Sequence, residues 1–156
     1  MSSEAQHPVN LNTLYQQVIL EHYKKPHGKG ALEAPTITKS LQNPTCGDNL
    51  TVYLILDEAN KVADVKWDGS GCSISMATAS MMAKAVKGKS LEQVDEIMHK
   101  VYAMIKGDPG EYKSIGELQA LAGVAKFPVR VKCATLAWHC VEEGVKEYKG
   151  GNDVNG

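Results

Sequence analysis

A thiol and a carboxylate stand two residues apart in the stretch Pro44-Thr-Cys46-Gly47-Asp48-Asn49. Gly47 can adopt backbone angles that other residues resist, so both flanking side chains can turn toward one point. Two further sulfurs, Cys72 and Cys133, stand much later in the chain. If the fold returns them to this point, three thiolates and one carboxylate close a four-coordinate site for a zinc-like ion. Alone, the Cys-Gly-Asp tripeptide defines nothing; the placement of the other cysteines has to carry the argument.

Three roles are open to each of the four cysteines: buried small hydrophobe, reactive thiol, or metal ligand. Paired structural disulfides are not expected in a reducing compartment, and the sequence points to one. Its opening residues, Met-Ser-Ser-Glu-Ala-Gln-His-Pro, lack the basic start and apolar run of a signal peptide. No apolar run approaches the ~20 residues of a membrane span. The expected location is therefore cytoplasmic. Seventeen Lys and Arg nearly balance eighteen Asp and Glu, leaving a net charge of −1, so nothing in the charge suggests a nucleic acid or an anionic membrane as partner. At 156 residues the chain is long enough to bury a core as one domain.

The elements that must position these residues follow from periodicity. Residues 1–10 are polar and patternless, and a mobile N-terminus is expected there. Leu11 to Lys24 has apolar residues at helical spacing, and Pro26 with two glycines stops it. The elbow that follows, His22-Tyr-Lys-Lys-Pro-His-Gly-Lys-Gly30, reads either as a solvated helix end or as a docking surface. From Thr36 to Trp67 the period becomes two, with a turn at Asp57–Asn60, which predicts an antiparallel meander with one buried face. Cys46 and Asp48 fall at its edge. Two glycines then lead into Cys72 and a helix from Ser73 to about Gly88. Ser90-Leu-Glu-Gln93 is a capping box opening a third helix, stopped at Gly107-Asp-Pro-Gly110. A short helix is expected within residues 115–125. Phe127 to Lys132 reads as extended, with Cys133 opening a last helix to about Tyr148. The fold class is α+β: a small antiparallel sheet of about three strands with four to five helices packed mainly on one face. Residues 11–148 form the domain, and residues 149–156 a flexible tail.

On this reading Cys72 and Cys133 both begin helices. There the positive end of the helix favours a thiolate; buried structural cysteines have no reason to choose such places. Cys140 is different. Seven residues beyond Cys133, it lies ~10 Å further along a helix axis, whereas sulfurs on one tetrahedral zinc are about 4 Å apart. Cys140 is therefore core. Asp48 is left as the best fourth ligand, since His139 lies on the wrong face and nothing places His22 or His27 nearby.

Three segments also resemble the cysteine motifs of the IscU/NifU-type iron–sulfur assembly proteins: Asn43-Pro-Thr-Cys46-Gly-Asp48, Gly69-Ser-Gly-Cys72-Ser-Ile-Ser, and Val129-Arg130-Val-Lys132-Cys133-Ala-Thr-Leu-Ala. The elbow at residues 22–30 looks like the family's N-terminal signature. The resemblance covers roughly residues 11–148. Within the family, the SufU branch is indicated by two features: Lys132, where IscU-type scaffolds carry a histidine, and the added segment near Gly107 to Lys126. The resemblance implies zinc held by Cys46, Asp48, Cys72 and Cys133, and persulfide sulfur accepted on Cys46 from a SufS-type cysteine desulfurase. Downstream iron–sulfur assembly proteins would be further partners. Arg130 matches an arginine of that branch and could balance the anionic site. Exchange of Cys46 off the metal, with a side chain of the partner taking its place, would free it to attack a persulfide.

Three functions are to be separated. The first is a zinc-dependent sulfur acceptor, that is, a sulfurtransferase. The second is a scaffold that assembles and transfers an iron–sulfur cluster on the same residues. The third is an adaptor in which zinc serves only as a staple.

Overall fold

The computed structural model describes residues 11–44 and 47–155. The expected mobile segment 1–10 lies outside them. Helix α1 (Leu11–Lys24) is followed by strands β1 (Ile37–Asn43), β2 (Asp48–Leu56) and β3 (Val62–Ser70). Helices α2 (Ser73–Val86) and α3 (Leu91–Lys106), a 3-10 helix (Lys113–Lys126) and α4 (Pro128–Asn155) complete the order. The architecture is α+β: among the described residues, five helices and a three-stranded antiparallel sheet in the order β1-β2-β3.

Alternation sets which face of the sheet is buried. Asp48, Leu50, Val52 and Leu54 all point inward from β2, as period two requires. β1 pairs with β2 so that Leu41 faces Leu50 and Asn43 faces Asp48. The inward rows meet α2 and α4, and the core includes Trp67, Met81, Met82, Leu121 and Trp138. Asp48 is thus an acid at the end of an otherwise apolar row, which by itself marks it as held by partners.

The capping box at Ser90 is present, with Gln93 and Ser90 exchanging backbone bonds, and Gly107 closes α3 at φ 90°. α4 departs from expectation. It starts at Pro128, five residues before Cys133, and runs through Asn155. Proline restricts the residue before it, and Phe127 is indeed non-helical, at φ −126° and ψ 85°. At the first helical position, however, its own fixed φ suits a helix start. Cys133 consequently sits in the second turn of α4, not at its beginning, and owes nothing to a helix N-terminus.

The elbow after α1 leaves Tyr23, Lys24, Lys25, Pro26, His27 and Lys29 exposed, while its backbone is committed to the sheet. Its backbone lies along the outer edge of β3: the Trp67 N–H donates to the Gly28 carbonyl and the Gly30 N–H to the Trp67 carbonyl, both at 2.8 Å. The Trp67 indole N–H donates to the His27 carbonyl at 2.8 Å. This covers an edge that would otherwise present unpaired backbone groups. A second tie joins the elbow to α2 and the 3-10 helix. Ser80 Oγ accepts the His27 N–H at 2.7 Å and lies 2.7 Å from His22 Nδ1, while His22 Nε2 lies 2.7 Å from Glu117 Oε1. Hydroxyl, imidazole and carboxylate stand in line here, but Ser80 is sealed from solvent. The line is a fastening, not a nucleophile. Partial burial works to raise the Glu117 carboxyl; the His22 bond and Lys84, 3.4 Å away, overcome it and hold the group below the usual carboxylate range.

Among the described residues, no helix is long and apolar enough to cross a membrane.

Candidate metal centre

The structure brings Asp48, Cys72 and Cys133 together: one donor atom from each lies within 4.8 Å of the others. Asp48 arrives as the first residue of β2, Cys72 as the N-cap of α2 and Cys133 from the inner face of α4. Three elements remote in sequence thus converge on one point. Cys46 lies outside the described residues, so the fourth sequence-predicted ligand is represented only by its neighbours Pro44 and Gly47. Gly47 has φ 70°, the left-handed backbone that a glycine takes without strain.

Asp48 and Cys133 are buried, and Cys72 is partly open. Among the described residues, Cys72 is thus the ligand that solvent reaches. The Asp48 carboxylate is held at both oxygens. Oδ1 accepts the backbone N–H of Cys72 at 2.8 Å, and Oδ2 accepts the Ser75 hydroxyl at 2.5 Å. Oδ2 also lies 4.0 Å from Cys72 Sγ. Asn43, paired with Asp48 across the hairpin, directs its Nδ2 toward Cys133 Sγ at 3.9 Å. Gly71 has to be glycine, because a Cβ there would overlap the Asp48 carboxylate.

Cys72 shows how opposing effects resolve. Burial works to raise its pKa. Contacts with Ser75, whose backbone N–H donates to Sγ at 3.5 Å, and with Cys133 outweigh that, and the thiol is held below its ordinary value despite the repulsion of Asp48. An N-cap sulfur facing free N–H groups is a thiolate site. Cys140 behaves oppositely. It is fully buried, 3.8 Å from the Leu50 carbonyl, and burial followed by the charge of Glu143 pushes its pKa up to about 12. It takes no part in the cluster.

The donor set fits a zinc-like ion. Two sulfurs and a carboxylate oxygen within 4.8 Å of one another match the roughly 4 Å edges of a tetrahedral thiolate site. Arg130 is exposed in the first turn of α4. His22 is bonded to Ser80 and Glu117, and His139 to Tyr102 at 3.0 Å; neither belongs to the cluster. Sequence reasoning missed Ser75, Asn43 and Gly71. Ser75 carried one readable signal: it stands three residues after Cys72, the spacing at which an N-cap side chain meets a backbone N–H.

Comparison with known proteins agrees with this geometry. The zinc-dependent sulfurtransferase SufU of Bacillus subtilis (strain 168) is 48% identical over 147 residues, covering 92% of this chain and 97% of that protein. The iron–sulfur cluster assembly scaffold protein IscU of Streptococcus pyogenes serotype M1 is 44% identical over 138 residues, covering 87% and 85%. Among solved structures, the N-terminal part of a nitrogen-fixing NifU-like protein from Brucella abortus superimposes with a TM-score of 0.80. It is 21% identical and covers 90% of this chain and 97% of that one, a likeness of fold. The model of the NifU-like N terminal domain matches residues 14–154, and the chain belongs to that family.

Proposed function

We propose that this protein serves iron–sulfur cluster biogenesis as a zinc-dependent sulfur acceptor, taking persulfide sulfur from a SufS-type cysteine desulfurase onto Cys46. The observation that carries the reading is the convergence of Asp48, Cys72 and Cys133 within 4.8 Å, with Cys46 two residues from Asp48 in sequence. The 48% identity to a zinc-dependent sulfurtransferase supports the choice of metal.

Asp48, Cys72 and Cys133 would hold the ion, with Cys46 as the fourth ligand. A bound zinc ion supplies positive charge that keeps thiolates deprotonated at neutral pH. The chain's own residues do the rest. Ser75 and the start of α2 fix Asp48 and Cys72 against each other, so those two stay in place while Cys46 reacts. In the transfer, the Cys46 thiolate attacks the outer sulfur of the donor's persulfide. The bond between the donor's two sulfurs breaks, the donor cysteine leaves as a thiolate, and Cys46 carries the new persulfide. No net oxidation occurs and no proton need move. Arg130, in the first turn of α4, offsets the net negative charge that three thiolates and a carboxylate leave around a divalent ion. A groove of about 620 Å³ lined by Tyr15, Ile19, Ser73, Ile74, Phe127 and Arg130, with Ser73 next to Cys72 in sequence, would give a protein donor a surface to approach.

The 44% identity to an iron–sulfur scaffold favours a second reading, cluster assembly on the same residues. One experiment separates the two. Protein purified without oxygen is analysed for metal, challenged with iron and sulfide, and incubated with desulfurase and cysteine before and after metal removal. Retained zinc and one added sulfur on Cys46 by peptide mass support the sulfur acceptor. Replacement of zinc by a stable cluster supports the scaffold. A Cys46→Ala protein that carries sulfur and stimulates the desulfurase as wild type does rejects Cys46 as acceptor.

A further inference from the structure

Ser75 lies beneath the cluster with no exposure to solvent, and its hydroxyl has a single hydrogen to give. Three acceptors surround it: Asp48 Oδ2 at 2.5 Å, the Cys133 carbonyl at 3.3 Å and Cys72 Sγ at 3.6 Å. The shortest and only charge-assisted oxygen acceptor is the carboxylate, and it takes the hydrogen. The other oxygen of Asp48 is already occupied by the Cys72 backbone N–H at 2.8 Å. Both oxygens are therefore tied to the first turn of α2, the same turn that places Cys72 Sγ. A carboxylate with two anchored oxygens cannot rotate away from the sulfurs without giving up a short, charge-assisted hydrogen bond.

Resting on the zinc reading above, we propose that Ser75 is a positioning residue of the metal centre. It sets the Asp48 carboxylate against Cys72 and Cys133 before an ion arrives, and its contribution to metal retention passes through Asp48. Partners that orient ligands in this way are worth roughly 10- to 100-fold in metal affinity.

The test is a double-mutant cycle read by zinc competition against a chromogenic chelator, with the cobalt(II) absorption spectrum as a second readout. Ser75→Ala is expected to weaken zinc binding roughly 10- to 100-fold and to shift the cobalt bands. In an Asp48→Ala background the same change is expected to cost nothing more. Thr78→Ala, a buried hydroxyl on the same helix with no hydrogen-bond partner among the described residues, should leave affinity at the wild-type value. Ser75→Thr and Ser75→Val have the same shape and differ only in the hydroxyl, so packing strain is common to both; Thr should bind zinc more tightly than Val. Equal affinities for that pair, or losses from Ser75→Ala and Asp48→Ala that simply add, overturn the inference. A wild-type protein that takes up no zinc defeats the zinc reading itself, a result distinct from one in which wild type and Ser75→Ala bind alike.

Discussion

Asp48 and Cys72, twenty-four residues apart in sequence, are joined by a 2.8 Å hydrogen bond from the Cys72 backbone N–H to the Asp48 carboxylate. The bond ties the start of β2 to the start of α2, so the cluster is assembled by the junction of sheet and helix.

Gly71 borders that bond with no room for a side chain, since a Cβ would meet the Asp48 carboxylate. Gly71→Ala must push either Asp48 or the start of α2 aside. Overpacking of this kind costs about 1–3 kcal/mol. The expected result is a lowered thermal midpoint together with loss of most bound zinc, measured by calorimetry and metal analysis on one preparation. Full zinc occupancy in the variant would show that the junction yields without harm.

The thiols should separate by reactivity in metal-free protein. Cys72 is held below the ordinary thiol pKa by its Ser75 bonds against the opposing effect of burial. Its alkylation by iodoacetamide should therefore begin at a lower pH than that of a free cysteine. Cys140, raised to about 12 and fully buried, should stay unmodified until the protein unfolds. Peptide mapping after timed alkylation gives both rates; early labelling of Cys140 would contradict its place in the core.

Glu117 gives acid sensitivity a definite sign. Its carboxyl is held below the usual range in the folded protein by His22 and Lys84 against the effect of burial. Its contribution to stability is thus present above the unfolded carboxylate pKa and is lost as pH falls through the lowered folded value. Thermal midpoints followed from neutral pH into the acid range should fall more steeply for wild type than for Glu117→Gln. Parallel curves would mean that solvent screens the pair.

Gly28 tests the elbow. It has φ 74°, and a Cβ there would lie 2.9 Å from Ala83 Cβ and 3.1 Å from the Val65 carbonyl. Left-handed strain of about 1–2 kcal/mol adds to overpacking of about 1–3 kcal/mol. Gly28→Ala should lower the thermal midpoint by several degrees and speed hydrogen exchange at the Trp67 amide, which donates to Gly28. An unchanged Trp67 amide would show that the elbow does not depend on this contact.

Much of this was legible because local chemistry and global fold agree. Period-two alternation in residues 50–56 and 61–67 gave the meander, and the Ser90–Gln93 spacing gave the start of α3. Asp48 was readable as a ligand at the edge of the meander, though not as the first inward residue of β2 itself. The start of α4 was not, because proline acts in opposite ways on its two sides: it keeps Phe127 out of the helix while favouring helix from Pro128 onward. That moved Cys133 from a presumed helix end to an inner face, where burial and neighbours set its environment. Ser75 and Asn43 escaped notice because each acts through a contact with a ligand more than twenty-five residues away, and no local pattern encodes such a meeting. The elbow's basic side chains are exposed, as its composition suggested, but its backbone pairing with Trp67 has no local signal in the sequence.

The pairing of Asn43 with Asp48 makes the β1–β2 hairpin intolerant of slippage. Successive residues on a strand face opposite ways, so one residue inserted into β2 ahead of Leu50 would turn Asp48 outward while leaving the apolar row intact. Such a chain would keep its core and lose its centre.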